Sequence, residues 1–434
     1  MTDFGAYAAL QEMFTELNHA VGEFEDDLRV TAEEALANFG LPGGHIEPLL
    51  PDNEEFGVTH EPTSKIYDWD DPWPISYGID GSTTRSLQFS NGLLVGASVA
   101  KLGVSGESDH ADLANQATTT LVAHLNEEEF SLNDIDTTSL NIPDGIDAHL
   151  FQFPPCERTN RLEEYVVEVS RTYAEGRHAF EMAGEIDGPL FIDGPLYPNP
   201  AFGWMLFEQV GEGPRRMTEI WPEMVSDILQ NYVKTVEMMH RRDLPIVGIT
   251  KTSGSAVALD ALETKIEAAD VDVSVPLPWT NDHQLFNDAL FTMEDKHGDR
   301  GSLISYTPWL LQTRQTVRGT PVVPFETFDI ELEHGDAREY QRAFFYARTP
   351  MTDNVMRVEA PYMLVREQSQ RERIQQKLLV ELAQQQKEPR AITHADEMAR
   401  ITRGDRNNLR RLLGSVRALE DYNEKRGFRD MEAE

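Results

Sequence analysis

The stretch YGIDGSTTRSLQFSNGLLVGASVAKLG, residues 77 to 103, decides the fold. Its reading is two β-strands joined by a turn, with one acid placed where chemistry can occur. Ser76-Tyr77-Gly78-Ile79 is short and partly apolar, and Asp80-Gly81-Ser82 follows at its end. A carboxylate at a strand terminus is held rigidly, and a glycine behind it lets a ligand approach the backbone. Leu93 to Leu102 is a run of small, apolar and β-branched residues, the pattern of a buried strand. The plainer alternative is an Asp-Gly turn closing an ordinary hairpin.

Further along, Pro189-Leu190-Phe191-Ile192-Asp193-Gly194-Pro195-Leu196 is a second apolar strand ending in Asp-Gly. Two acids at the ends of two core strands, each with glycine behind it, suit a divalent cation held between neighbouring strands. Leu162, Val166, Val169, Tyr173 and Phe180 recur at helical spacing, which predicts a helix over 160–183. Residues 222–242 also read as helical. Leu244 to Lys251 reads as a buried strand whose terminal Lys251 either neutralises a phosphate or is simply solvated. Helices alternating with strands that end in polar residues make an α/β fold with its site at the strand ends.

Around this centre the chain is less specific. Residues 1–40 read as helical, with Phe14, Leu17, Val21 and Phe24 near one face and a capping box at Thr31 to Glu34. Residues 41–74 read as a connecting loop. The polar, acidic segment 105–150 reads largely as a surface insertion, with 114–125 either helix or strand. Asp282-His283 opens a helix; 338–348 and 354–365 are strand-like. Residues 368–387 form a glutamine-rich helix, and 388–413 a helix or helix pair. That last segment concentrates arginines at Arg400, Arg403, Arg406, Arg410 and Arg411, facing either DNA phosphates or neighbouring acids.

The formal net charge is -37, and only nine of the 38 basic residues are lysines. Acidic, lysine-poor surfaces stay hydrated in concentrated salt, where charge repulsion is screened. The expectation is a salt-loving cytoplasm, in which an acidic total argues little against a nucleic-acid partner. With 40% hydrophobic residues and 20 phenylalanines the chain is not an acidic disordered one. One cysteine, Cys156, excludes a disulfide framework and a thiolate metal cluster. No apolar run is long enough to span a membrane, and the N-terminus lacks a secretion signal, so a soluble intracellular protein is expected. No phosphate-cradling glycine loop is present, which disfavours a phosphotransferase.

The order and spacing of YGIDGS, LFIDGPL, PIVGITK, MRVEAPY and EPRAITHADEMARIT resemble the NurA family of DNA-repair nucleases, from about residue 75 to 413. The resemblance implies an RNase H-like core, a mixed sheet flanked by helices; the N-terminal helical extension (1–74), the acidic insertions and the acidic tail (414–434) are read from the sequence itself and are poorly covered by it. It implies Mn²⁺-dependent, or Mg²⁺-dependent, 5′-to-3′ exonuclease and single-strand endonuclease activity on DNA. It also implies a homodimer and partnership with a HerA-type hexameric ATPase in end resection at double-strand breaks. Asp80 matches the family's first acid and Asp193 its strand acid. The family's helix glutamate falls at Glu175, with Glu163 and Glu164 as competitors. Near the C-terminus the family has a tyrosine-proline and, further on, an alanine-histidine pair; Glu388-Pro389 and Ala395-Asp396 stand there. Asp396, rather than His394, is therefore the expected participant. Lys251, Arg400 and Arg403 are the expected DNA contacts. A non-catalytic DNA-end clamp, or adaptor for a hexameric motor, is the alternative.

Overall fold

In the computed structural model the described residues are 4–22, 32–198 and 222–414, apart from 52–53, 90, 133–134, 136–139, 157–161, 253, 272, 292–301, 318–319, 323–324, 326–327, 350 and 352–353. The expected acidic tail, and Phe24 of the N-terminal segment, lie outside them. The chain divides into a smaller unit (1–68, 251–313 and 344–357) and a larger one (69–250, 314–343 and 358–434).

The larger unit is built on the hairpin. β1 (Ser76–Thr83) pairs antiparallel with β2 (Leu94–Ser105) along its whole length, Asp80 opposite Lys101 and Gly81 opposite Ala100. Asp80-Gly81 is therefore not a turn: the ladder runs on to Thr83 because β2, at 12 residues, is long enough to carry it. On its other side β1 pairs parallel with β5 (Leu190–Asp193), and that ladder's last partners are Ile79 and Ile192. Asp80 thus stands where one ladder stops and the other continues. β3 (Ala117–His124) and β4 (Ile146–Phe153) extend the sheet beyond β2, and β6 (Ile246–Thr250) pairs parallel with β5. The result is a mixed sheet, in the order β6-β5-β1-β2-β3-β4. Residues 117–124 are hence a sheet strand, one of the two readings open for 114–125, and 146–153 is a sheet strand rather than part of a surface insertion.

Helices cover both faces of this sheet. α1 (Leu162–Ala183) lays Val166, Val169 and Tyr173 over Tyr77, Ile79, Leu102, Leu190 and Ile192, with α2 (Pro222–Arg241) packed behind it. On the opposite face lies α4 (Arg390–Ala399), which follows α3 (Gln368–Gln385) and precedes α5 (Arg403–Gly414). Contact with α4 is made backbone to backbone. A Cβ on Gly78 would stand 2.5 Å from the Ala391 carbonyl, and one on its cross-strand partner Gly103 would stand 2.2 Å from it. Only glycine at both positions admits a helix this close.

The smaller unit pairs Ile46–Pro48 with Leu310–Gln312, and Thr59–Pro62 with Leu303–Tyr306, so residues 41–68 hold short strands and a helical turn rather than a bare loop. Its core contains Phe39, Phe56, Leu262, Phe286 and Tyr346. Asp282 is wholly buried there and accepts hydrogen bonds from the Ala258 and Leu259 amides, capping the helix Val257–Ala269. The N-terminal helix Phe4–Gly22 forms, but Tyr7, Leu10, Met13, Phe14 and Leu17 are all exposed on it. Among the described residues no helix is long and apolar enough to cross a membrane.

Candidate active site

Because β1 and β5 are parallel and register Ile79 with Ile192, the next residues of each, Asp80 and Asp193, emerge on the same face of neighbouring strands. Strand spacing puts their Cα atoms about 5 Å apart. Asp80 is 8% exposed, and one of its oxygens accepts the amide of Gly81 at 2.7 Å. Asp193 is half-buried.

The third acid comes from the other face. Glu175, in α1, is 5% exposed and lies directly above Gly81, where an added Cβ would stand 2.7 Å from the Glu175 Oε1. The glycine behind Asp80 thus makes room for a protein carboxylate, a role its sequence position alone does not show. Glu163 and Glu164 sit exposed in the first turn of the same helix, and Glu163 accepts a hydrogen bond from Ser86. Eleven to twelve residues of helix, about 17 Å, separate them from Glu175. The structure brings Glu175 to the two aspartates and leaves its two competitors away from them.

Glu175 is held by groups that the sequence reading did not single out. Arg171, one turn earlier, reaches Glu175 Oε1 at 3.3 Å and Glu168 Oε1 at 2.5 Å. The hydroxyl of Tyr232, from α2, also bonds Glu175. The i,i+4 spacing of Arg171 and Glu175 was the one available signal for this contact. Burial pushes the Glu175 carboxyl up to about 8, against the pull of Arg171 and with the help of Asp80, Glu168 and Asp193. Arg171 in turn is raised, chiefly by Glu175. One guanidinium is shared here between two glutamates, in a poorly hydrated place that the two aspartates also reach electrostatically.

α4 runs along the sheet toward these acids: Ala391 lies over Gly78 and Gly103, and past the helix end the Ile401 amide donates to Ser82 Oγ at 3.2 Å. Ala391, Ile392, Ala395 and Ala399 form its buried stripe. His394 and Asp396 stand about 200° apart around the helix, on opposite flanks of that stripe. His394 turns to the β2 flank, where Nδ1 meets the Val104 carbonyl at 2.7 Å and Nε2 accepts from Arg390 at 3.3 Å. Asp396 is exposed, on the flank turned away from His394. Arg400 and Arg403 are exposed beyond it, and Thr402 and Asp405 exchange hydrogen bonds at the start of α5. Lys251 directly follows β6 in sequence and belongs to the smaller unit.

The donors suit a hard divalent cation: carboxylate oxygens on adjacent strands in register. Asp80 and Asp193 are the residues that would hold it. Among the described residues, no three Asp, Glu, His or Cys side chains converge as a ready-made metal cage. Glu175, turned toward Arg171 and Tyr232, is outside the pair.

No protein-family model matches the sequence, and no characterised protein does. Solved structures do resemble this one. They are NurA nucleases. The nuclease from Sulfolobus solfataricus is similar over 95% of this chain and 96% of its own, with 12% identity and a TM-score of 0.48. A NurA bound to dAMP and manganese is similar over 95% and 98%, with 10% identity and a TM-score of 0.45. A NurA with manganese is similar over 81% and 93%, with 10% identity and a TM-score of 0.39.

Proposed function

We propose that this protein is a metal-dependent deoxyribonuclease of the NurA type. It would hydrolyse DNA phosphodiesters as a 5′-to-3′ exonuclease and single-strand endonuclease, as a homodimer working with a HerA-type hexameric ATPase in break resection. The order of the family-like motifs supports the family. The observation that carries the chemistry is the in-register pair Asp80 and Asp193 beside buried Glu175.

Each residue has a role set by its place. Asp80 is fixed by its own strand and by the Gly81 amide, so its carboxylate is presented without a mobile linker. Asp193 presents a second oxygen from the adjacent strand. Mn²⁺ or Mg²⁺ bound by this pair would render a water nucleophilic and neutralise charge on the leaving oxygen. Glu175, carrying a proton at neutral pH while the pair is empty, has a carboxyl that can give up that proton when positive charge arrives. Asp396 adds a further oxygen donor from α4. Arg400 and Arg403, with Lys251, supply phosphate contacts.

The second reading, a non-catalytic DNA-end clamp or motor adaptor, draws on one observation: among the described residues no three such side chains form a preformed cage. Purified protein incubated with labelled single-stranded DNA and Mn²⁺ at multimolar salt separates the two. Cleavage that disappears in Asp80→Ala supports the nuclease. DNA retention without any cleavage, in wild type and variant alike, supports the clamp.

A further inference from the structure

The chain beyond Asp193 is pinned from three directions. The Gly194 amide donates to the Ile249 carbonyl of β6 at 3.0 Å. The backbone of Leu196 presses on Gly248, where an added Cβ would come within 2.3 Å of the Leu196 nitrogen. From the strand Val355–Pro361, Glu359 accepts the Leu196 amide at Oε2, 2.9 Å away. The same oxygen lies 3.5 Å from Nε of Arg342, whose Nη2 donates to the Tyr197 carbonyl at 2.9 Å. Glu359 is 3% exposed, Arg342 7%, and Leu196 and Tyr197 are fully buried.

A buried ion pair is costly to assemble and is not in itself a source of stability. Here both charged groups reach the backbone of one segment. The carboxylate and the guanidinium each take one main-chain group of Leu196-Tyr197, three and four residues past Asp193. Charge-assisted bonds to a backbone are strong and directional, and are suited to fixing a loop where apolar contacts would let it slide.

We propose that Glu359, backed by Arg342, is a positioning residue for Asp193, acting through the Leu196 amide. By fixing the segment that leaves β5, it holds the Asp193 carboxylate level with Asp80. This deepens the nuclease reading and rests on it, since it takes Asp80 and Asp193 as the cation-holding pair. Glu359 itself touches neither reactant nor cation.

The test uses the full chain with Glu359→Gln, which keeps an acceptor for Leu196, and Glu359→Met, which does not. The double variant Glu359→Met/Arg342→Met removes both buried charges and serves if the single variant does not fold. Amide exchange at Leu196 is measured without metal, and Mn²⁺ affinity is measured by the paramagnetic signal of the free ion. In the methionine variants, Leu196 exchange and the Mn²⁺ Kd should each rise about tenfold, with cleavage recovering at saturating Mn²⁺. Amides of β1 should stay protected, and the glutamine variant should stay close to wild type. Folded methionine variants with unchanged Leu196 exchange or unchanged Mn²⁺ affinity overturn the proposal. So does exchange that rises uniformly across the sheet, which marks a merely structural pair. Failure of the wild type to bind Mn²⁺ would instead sink the nuclease reading, and this inference with it.

Discussion

Two groups of acids share helix α1, six residues apart, and they are electrostatically unlike. At Glu181 the neighbour is Asp147, on edge strand β4. Asp147 accepts from His149 at 2.6 Å and from Arg177 at 3.3 Å, while Arg177 also reaches Glu181 at 2.7 Å. Burial and the hydrogen bond with Asp147 push Glu181 up to about 7. At Asp147, burial is outweighed by His149 and the other donors, and its carboxyl is lowered. The two acids lie beside two basic side chains, and Asp147 and Glu181 line an open cavity of about 690 Å³. At Glu175 the electrostatic neighbours are Asp80, Glu168 and Asp193, and Arg171 is divided between Glu175 and Glu168. What distinguishes the candidate site is a pair of strand carboxylates in register beside a buried glutamate, rather than the number of acids.

The largest expected effect tests that distinction directly. Asp80→Ala or Asp193→Ala should lower Mn²⁺-dependent cleavage roughly 100-fold or more, with little change in the thermal transition. Asp147→Asn and Glu181→Gln should leave cleavage within about twofold, as expected of groups that touch no reactant. Rates on labelled single-stranded DNA, with Tm for each variant, check this. Full activity in Asp80→Ala, or its loss in Asp147→Asn, would reverse the assignment of the two clusters.

The next effect is on stability. A carboxyl raised from 4.5 to about 8 by folding is bound to a proton in the folded chain where the unfolded chain has lost it. Its cost is therefore absent below about pH 4.5 and grows as pH rises toward 8. For metal-free protein, Glu175→Gln should stabilise at pH 8 by up to a few kcal/mol, and by almost nothing at pH 4.5. Urea unfolding at both pH values reads it. A variant destabilised equally at both would show that Arg171 and Tyr232 compensate the charge fully.

A smaller effect concerns α4. Asp396→Asn should weaken Mn²⁺-dependent cleavage about tenfold, whereas His394→Ala should change it little, because the histidine is committed to Val104 and Arg390 on the far flank. The activity should accordingly show no titration near neutral pH traceable to position 394. Loss of cleavage only in the histidine variant would show that the histidine leaves the Val104 carbonyl to act at the site.

Much of this was legible beforehand because it depends on local pattern. The apolar runs around Asp80 and Asp193 are strands, and the spacing from Leu162 to Phe180 is a helix that ends at the glycine-flanked break. Less legible was anything set by partners distant in sequence. Asp80-Gly81 reads as a strand end, yet the length of β2 carries the ladder past it. Residues 117–124 read as either helix or strand, and 146–150 as part of a surface insertion, because sheet membership depends on a neighbour and charge composition does not reveal one. The hold of Tyr232 on Glu175 and of Glu359 on Leu196 joins residues 57 and 163 positions apart, beyond any periodicity. Apolar residues on Phe4–Gly22 predict a buried face, and the structure exposes it.

The smallest effects belong to the arginines, where the contrast with the acids is one of exposure. Arg400 and Arg403 are solvent-exposed, past the end of α4, whose C-terminal part approaches Ser82. An exposed guanidinium adds little to folding, so Arg400→Gln and Arg403→Gln should leave Tm nearly unchanged. If each meets one backbone phosphate, each substitution should weaken binding of every DNA sequence by a similar few-fold factor. It should also reduce the slope of log affinity against log salt by about one. At multimolar salt the screening length falls below about 3 Å, and the difference between wild type and variant should shrink toward nothing. Fluorescence anisotropy on two unrelated oligonucleotides, from low to high salt, measures all three quantities. A variant that loses affinity for one sequence only would be reading bases, and one with an unchanged salt slope would place its arginine off the DNA path.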